Sequence, residues 1–348
     1  MADKYSRLMT MLRELCELNS ISGDESAVRE YILEKIKGKC SYEISPLGNI
    51  IAYYKGKNRP ENMLMISAHM DEVGMIITSV NDDGTLNFDC VGGVDACVCA
   101  GRQVTVGNGI IGSVGVGAVH NLSPDQKDKL PSFEDLCIDI GAADKQEAKK
   151  YVSLGDPAYF LADYVDFGEG FIRSKAIDDR AGCAVMLEMI LSDALDYDCT
   201  FTFVVQEEIG LRGGRTAAFQ ANADFALVLE ATTAADIPVV EGAKRCCALG
   251  KGPVISYMDR STCYDRELYR LATQTAEKNG LKWQTKTMVA GGNDSGAIHI
   301  SKGGIRTCAI SVPCRYLHSP CCVINRSDFC DTYELASRLA NKILGGEI

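Results

Sequence analysis

The sequence lacks any uninterrupted apolar stretch of about 18 residues, the length that a helix needs to cross a membrane. Charged residues recur among the apolar ones in residues 1–19, so no signal-peptide core is present there. A long basic run is also missing, and 36 Lys and Arg stand against 47 Asp and Glu for a net charge of −11. These absences argue against membrane, secreted and nucleic-acid-binding proteins, and we expect a cytoplasmic location.

The 16 cysteines lack the paired CxxC spacing of a structural zinc site. They stand singly or as close pairs such as Cys97/Cys99 and Cys321/Cys322. In a reducing compartment we expect most of them to be free thiols that pack as small apolar side chains. Disordered and fibrous proteins are excluded because 46% of the 348 residues are hydrophobic and 24% are charged. At about 150 residues per domain, this length allows two domains.

Hydrophobic periodicity predicts a helical lead into an α/β sheet. Apolar residues at helical spacing predict a helix over residues 5–18, and Ser22 with Glu25 fits a capping box that opens a second helix. A hairpin is predicted over residues 42–55. Short apolar runs typical of buried central strands then alternate with helical stretches. The strands are predicted at 63–66, 201–205, 226–229 and 307–310, and the helices at 180–195, 214–220, 264–279 and 328–343.

The pattern changes between Asp71 and Ile172. Residues 75–118 are rich in Gly, Val and Ile with short turns, and no long helical periodicity appears before residue 145. This texture predicts a small β-rich domain inserted into the α/β domain. We therefore expect residues 1–70 and 166–348 to form one domain and residues 71–165 to form the insertion.

Metal-ligand side chains follow the ends of several predicted strands. They are His69 with Asp71, Asp178 with Asp179, Glu207 with Glu208, Glu230, and His318. Ligand sites in open α/β sheets gather beyond the carboxyl ends of strands, so residues distant in the chain can meet there. Two imidazoles and several carboxylates, without a thiolate, suit two divalent cations such as Zn²⁺, Co²⁺ or Mn²⁺. One carboxylate must bridge two metals that lie about 3.5–4 Å apart, and another must stay free as general base.

Each of these signals also has an ordinary structural explanation. A lone histidine is more often a satisfied polar residue than a ligand, and we interpret His120 and His299 in that way. Paired acidic residues usually lie on the surface, and Asp178-Asp179 precede a helix, where carboxylates are common caps. Glu207-Glu208 differ because a buried strand runs straight into them, and buried carboxylates are costly to leave unpaired.

Taken together, the motifs resemble the TET-type family of dinuclear metallo-aminopeptidases, the glutamyl or deblocking aminopeptidases that assemble as tetrahedral dodecamers. The matching segments, in the family's order, are Ser67–Gly74, Ala176–Gly182, Gln206–Gly210, Leu229–Thr232, Gly291–Asp294 and Arg315–Pro320. The resemblance implies a zinc-peptidase-like catalytic domain, with a mixed sheet flanked by helices on both faces. It also identifies the β-rich insertion as a PDZ-like dimerisation domain. Related aminoacylases and carboxypeptidases keep the interval from Asp71 to Asp178 short, so the position of the insertion favours an aminopeptidase.

The resemblance further implies which residues bind the two metals. Asp178 would bridge them, with His69 and Glu230 completing one site. Glu208 and His318 would complete the other. Several relatives carry Asp where this chain has Glu230, and the added methylene moves the carboxylate by roughly 1 Å while oxygen ligation survives.

The activity implied is the release of N-terminal amino acids from peptides with a free amino terminus. A hydroxide bridging the two metals would attack the scissile carbonyl, and Glu207 would act as general base. Asp71 would hydrogen-bond the His69 imidazole and set its tautomer. Self-association, from a dimer through the insertion to a dodecamer, is also implied, whereas no nucleic-acid or membrane partner is expected.

Other functions remain open at this stage: an endoglucanase-type glycosidase, an aminoacylase or deacetylase on the same metal site, or a non-catalytic scaffold. A glycosidase needs two carboxyls about 5–9.5 Å apart that flank a sugar. Adjacent Glu207 and Glu208 on an extended chain instead point to opposite sides. We interpret four basic residues as solvated surface rather than as the lining of a pocket for acidic side chains: Lys244, Arg245, Lys251 and Arg260.

Overall fold

The computed structural model describes residues 4–118, 120, 129–238 and 240–348. Part of the predicted insertion (residues 119 and 121–128) and residues 1–3 lie outside this range. Helices α1–α9 span Ser6–Glu17, Ser26–Ile36, Ala96–Cys99, Lys145–Ala148, Ile177–Leu191, Arg212–Ala221, Arg266–Lys278, Ser295–Ile298 and Arg326–Leu344. Strands β1–β9 span Cys40–Ile44, Ile50–Tyr54, Leu64–His69, Gly74–Val80, Leu86–Val91, Gln103–Val106, Ile110–Val116, Leu136–Asp139 and Pro157–Phe160. Strands β10–β17 span Val165–Phe167, Phe171–Ser174, Cys199–Val204, Phe225–Thr233, Val254–Ile255, Gln284–Thr285, Arg306–Cys314 and Cys322–Asn325.

Eight strands form one mixed sheet in the order β1-β2-β12-β3-β13-β16-β14-β15. Its centre, from β12 through β3 and β13 to β16, is parallel, and antiparallel pairs lie on either side of that centre. Every residue of β3 and β12 is buried, as expected for strands that helices cover on both faces. The predicted fold class is confirmed, and the carboxyl ends of the four parallel strands share one edge.

Helix α5 is the innermost helix of the fold. Its residues 177–190 are all buried, and it packs against β3 and β13 on one side and against α1, α2 and α9 on the other. Most of these residues are apolar, and their burial stabilises the fold. Two charged residues among them, Arg180 and Glu188, have ion-pair partners. Helices α6 and α8 cover the opposite face of the sheet, where Ala218 and Ile298 pack with Met65.

Most of the predicted elements are confirmed. The hairpin is β1 and β2, and the predicted central strands are β3, β12, β13 and β16. The predicted first helix is α1, and the four later helices are α5, α6, α7 and α9, with ends that differ by a few residues.

The predicted capping box at Ser22 and Glu25 is wrong. Helix α2 begins at Ser26, and the Glu25 side chain makes no capping hydrogen bond. Ser22 Oγ instead donates to Asp71 Oδ2 at 2.5 Å, and Glu25 Oε1 accepts from the main-chain N–H of Gln206 at 3.2 Å. The segment has the residue types of a cap, but it is used to support the edge of the sheet.

Strands β4–β9 close into a barrel in the order β4-β5-β8-β7-β6-β9. The barrel has its own apolar core, with Met75, Val104 and Ile138 fully buried inside it. This confirms the predicted β-rich insertion. After the barrel, β11 pairs with β10 on one side and with β17 on the other in a three-stranded antiparallel sheet, which returns the chain to the α/β domain.

Two further predictions concern the cysteines and the membrane. All 16 cysteines are free thiols, and most are buried, as expected for small apolar packing groups. In the part of the chain that the structure describes, no helix combines the length and the apolar character needed to cross a bilayer.

Candidate metal centre

Five of the predicted site residues meet beyond the carboxyl ends of the central strands. Ligand atoms of His69, Asp178 and Glu230 lie within 4.8 Å of one another. The ligand atoms of Asp178, Glu208 and His318 form a second group of the same size. The structure therefore brings together residues from five separate parts of the chain, namely β3, the start of α5, the segment after β12, β13 and the loop between β16 and β17. Asp178 belongs to both groups.

Asp178 divides its two carboxylate oxygens between the two histidines. Oδ1 lies 3.1 Å from Nε2 of His69, and Oδ2 lies 3.5 Å from Nε2 of His318. The neighbouring Asp179 makes a different contact. Its Oδ1 accepts a hydrogen bond of 2.8 Å from the main-chain N–H of Gly182 near the start of α5. The ordinary interpretation as a helix cap thus describes Asp179, whereas Asp178 faces the centre.

His69 is held by the chain immediately after it. Its ring is 1% exposed at the end of β3, and Nδ1 lies 2.9 Å from the main-chain oxygen of Asp71. The Asp71 carboxylate is 3.6 Å from Nδ1. That carboxylate accepts the main-chain N–H groups of Glu207 at 3.1 Å and Glu208 at 3.2 Å, one on each oxygen. Asp71 therefore orients the imidazole with its carbonyl group and the acidic pair with its side chain.

His318 lies in the loop between β16 and β17. Its side chain is 32% exposed and its backbone has a φ of 57°, so no regular element holds it. Nε2 lies 3.4 Å from Glu208 Oε2, and Nδ1 lies 2.9 Å from the main-chain oxygen of Gly93 in the barrel. No role was predicted for Gly93 from the sequence, where it lies in one of the short turns of the insertion.

The centre carries more buried carboxylates than cations. Burial raises the pKa of Glu230 well above its usual range and that of Glu208 to about 7, and the charge of Asp178 adds to both. Burial opposes the charged form of His318, yet Asp178 and Glu208 raise its pKa to about 10. Glu230 Oε1 is buried without a hydrogen-bond partner among the described residues. Buried negative charge of this kind is what bound divalent cations neutralise.

Asp294 is a further buried acid beside the centre. It is 0% exposed, and its carboxylate packs so closely on Gly214 that a Cβ there would lie 2.3 Å from Oδ1. Burial raises the pKa of Asp294 to about 7. Burial also raises the pKa of Glu207 well above its usual range, and the charge of Asp294 adds to that rise. The Gly291–Asp294 segment was noticed in the sequence, but without a role for this side chain.

A cavity of about 440 Å³ opens onto the centre. Gly93, Asp95 and Val98 of the insertion form part of its wall, and Lys286 lies in the wall supplied by the α/β domain. Lys286 Nζ donates to the main-chain oxygen of Ala290 at 2.7 Å. The four basic residues that the sequence assigned to the surface are indeed exposed: Lys244, Arg245, Lys251 and Arg260. Lys286 was missed because no motif surrounds it.

A buried ion cluster fixes the link between β3 and the barrel. Glu72 Oε1 accepts from Lys175 Nζ at 2.6 Å and from the main-chain N–H of Ser20 at 3.0 Å. Arg180, which is 0% exposed, lies 3.5 Å from the same oxygen and donates to the main-chain oxygen of Met70. Each cation therefore has a partner, which buried charges require.

Known proteins resemble this chain along most of its length. The family model of the M42 glutamyl aminopeptidases matches residues 48–335. A protein of Acetivibrio thermocellus that carries a provisional aminopeptidase name is 39% identical over 331 residues, which cover 94% of this chain and 97% of that protein. The structure of aminopeptidase APDkam598 from the archaeon Desulfurococcus kamchatkensis superposes with a TM-score of 0.91 at 31% identity, over 97% of this chain and 95% of that one. The Pyrococcus horikoshii TET1 peptidase, which can assemble into a tetrahedron or a large octahedral shell, gives a TM-score of 0.84 at 31% identity, over 97% and 99% of the two chains.

Proposed function

The chain belongs to the M42 glutamyl aminopeptidase family and is a metallo-aminopeptidase, and from this premise we propose which residues carry out the reaction. Two divalent ions would be held at the centre, one by His69, Asp178 and Glu230 and the other by Asp178, Glu208 and His318. The observation that carries this assignment is the division of the Asp178 oxygens between two imidazoles. A carboxylate in that position would be available to both ions.

The donor set fits such a pair of ions. Each group of ligand atoms combines one imidazole with two carboxylates, a mixture that suits Zn²⁺, Co²⁺ or Mn²⁺. Glu230 Oε1 has no hydrogen-bond partner among the described residues, and the pKa values of the buried acids are raised. Both observations favour a bound cation at this centre. When bound, two such ions supply Lewis-acid polarisation of a peptide carbonyl and a water molecule of lowered pKa.

We assign the proton transfer to Glu207. Its carboxylate lies within 4.8 Å of His69 and Glu208 ligand atoms, close enough to reach a water molecule at the centre. Burial, with Asp294 nearby, raises its pKa well above the usual range, as suits a group that accepts a proton and then returns it. Glu207 takes the proton from the attacking water on a carboxylate oxygen and delivers it to the nitrogen of the leaving amine.

The proposed substrates are peptides with a free amino terminus. Asp95 on the barrel wall adds a negative charge to the cavity, and that charge attracts an α-ammonium group. Lys286 adds one positive charge on the wall. That charge favours an acidic first side chain, in agreement with the glutamyl name of the family.

We further propose that residues 71–165 act as a dimerisation domain and that dimers build a dodecamer. The proposal is supported by the tetrahedral assembly of the P. horikoshii TET1 peptidase and by the separate core of the barrel. A separate core allows a domain to offer its outer surface to a second copy.

The decisive experiment replaces Glu207 with Gln and follows metal content and turnover separately. The variant keeps two ions per chain but loses at least about 10²-fold in kcat, because an amide cannot accept the proton. Glu169→Gln, at an exposed position in the turn after β10, is the matched control and keeps full activity. A Glu207→Gln protein that retains more than a few per cent of turnover, or that loses an ion, contradicts the role of general base.

Chelation separates the remaining alternatives. Hydrolysis of an aminoacyl-p-nitroanilide panel stops with a chelator and returns with added Zn²⁺, Co²⁺ or Mn²⁺ if the proposal is right. A glycosidase is unaffected by the chelator, an aminoacylase prefers N-acetylated amino acids, and a scaffold turns over nothing. Any of these three outcomes overturns the proposed peptidase mechanism.

A further inference from the structure

The two histidines of the centre are oriented by different parts of the molecule. His69 Nδ1 faces the main-chain oxygen of Asp71, only two residues along the chain. His318 Nδ1 faces the main-chain oxygen of Gly93, at 2.9 Å and 225 positions away. One imidazole is thus held within the catalytic domain, whereas the other is held by the inserted barrel.

The Gly92-Gly93 turn is fitted closely to the second ligand group. A Cβ at Gly93 would lie 3.2 Å from His318 Nδ1 and 3.4 Å from Cε1. A Cβ at Gly92, where φ is +86°, would lie 3.1 Å from the Cβ of Glu208 and 2.9 Å from Val73. The turn therefore touches both His318 and Glu208, and glycine is what allows that approach.

The surroundings of His318 offer little other support. Its side chain is 32% exposed and lies on a loop. Among the described residues, its ring makes polar contacts with Gly93 through Nδ1, and with Asp178 and Glu208 through Nε2. Without the acceptor on Nδ1, the ring could turn about its χ angles and lose the direction of Nε2.

We propose that the Gly92-Gly93 turn of the barrel is a positioning element of the metal centre. The Gly93 carbonyl accepts the Nδ1 hydrogen of His318, fixes the tautomer and aims Nε2 at the ion shared with Asp178 and Glu208. The affinity for that ion therefore depends on the position of the inserted domain. The affinity for the ion at His69 does not depend on it. This inference rests on the proposed function, because it requires both ions to bind.

Groups that orient a metal ligand from behind commonly change metal affinity by about 10- to 100-fold when they are disturbed. Replacing Gly93 with Ala leaves the carbonyl in place but pushes the ring by a few tenths of an ångström. We therefore expect the lower end of that range for Gly93→Ala and the upper end for Gly93→Val, which carries two more carbon atoms.

The test is a titration of the metal-free protein with Zn²⁺, followed by calorimetry and by metal analysis after dialysis. In Gly93→Ala the affinity for one ion falls about 10-fold and that for the other is unchanged, with the fall increasing in Gly93→Val. Gly115→Ala is the matched control, since it lies in the same barrel and its new Cβ would meet nothing closer than 3.5 Å. The control keeps both wild-type affinities.

Two results overturn the inference. One is wild-type affinity for both ions in both Gly93 variants, and the other is an equal fall at both sites, which is the mark of general loosening. A thermal unfolding midpoint equal to that of Gly115→Ala shows that the barrel is intact in the variants. If the wild-type chain itself binds no ion, the proposed function fails instead, so the two failures are distinguishable.

Discussion

Replacing Asp71 with Asn tests the idea that its carboxylate holds the acidic pair in place. Oδ1 accepts from the N–H of Glu207, and Oδ2 accepts from the N–H of Glu208 and from the Ser22 hydroxyl. An amide keeps only one acceptor oxygen, so in either orientation its NH₂ group meets a main-chain N–H. One buried N–H group loses its partner, which costs about 1–3 kcal/mol of unfolding free energy.

The same change should reduce turnover more than metal binding. A small shift of the Glu207 main chain misplaces the general base, and misplacement by about 1 Å can cost 10²-fold in rate. We expect kcat to fall between about 10- and 100-fold. The ion at His69 remains, because its imidazole is held by the main-chain oxygen of Asp71 and that oxygen is unchanged.

The assays are chemical unfolding of the metal-free protein, steady-state kinetics and metal analysis. Ser22→Ala is the control, because it removes one donor and leaves both main-chain hydrogen bonds to Asp71 in place. The pH dependence adds a check. Burial tends to raise the pKa of Asp71, but His69, Ser22 and the Glu207 amide hold it below its usual range. Its contribution to stability is therefore complete at neutral pH and is lost as the pH falls below about 4.

Equal stability and equal kcat for Asp71→Asn and the wild type would refute this reasoning. So would a Ser22→Ala variant that loses as much as Asp71→Asn, because the two main-chain bonds would then carry no special weight. Loss of the ion at His69 in Asp71→Asn would point to the carboxylate, rather than the carbonyl, as the group that orients the imidazole.

Three further predictions concern charge in the cavity and at the centre. Lys286→Glu lowers kcat/KM for glutamyl relative to glutaminyl p-nitroanilide by at least about tenfold, whereas Lys286→Arg keeps the ratio; an unchanged ratio in Lys286→Glu refutes the acidic preference. Metal binding at pH 7 releases protons, because His318 has a pKa of about 10 in the metal-free centre and must be neutral to bind a metal. Calorimetry in buffers of different ionisation enthalpy measures the number of protons released. A metal affinity that does not change between pH 6 and pH 8 contradicts this prediction. Glu230→Gln lowers the affinity for one of the two ions. If the variant retains both ions after dialysis, Glu230 is excluded as a ligand.

The sequence was sufficient to predict the sheet and the place of the centre. The apolar runs before His69 and Glu207 are β3 and β12, and they are buried on both faces as the runs indicated. Parallel strands bring their carboxyl ends to one edge, so side chains after those strands had to be neighbours. The geometry of parallel strands therefore allows apolar runs in the sequence to predict contacts between residues that are distant in the chain.

Other parts of the site left no such pattern. The contact of Gly93 with His318 uses a main-chain oxygen, which every residue possesses, and the partner is 225 positions away. Ser22 and Glu25 have the spacing of a capping box, yet they do not form one. The same residue types can cap a helix or make hydrogen bonds elsewhere in the fold. Lys286 depends on where a surface segment closes a cavity, and local periodicity says nothing about that.

The inserted barrel begins at Gly74, only a few residues after His69 and directly after Glu72, which is paired with Lys175 and Arg180. A designer who wished to exchange the barrel for another module would have to cut between Glu72 and Gly74. Any graft there inherits the requirement to leave Lys175 and Arg180 paired with Glu72. Domains joined by loose linkers are routinely exchanged. In this protein, an exchange of the barrel would change the chain next to His69, one of the proposed metal ligands.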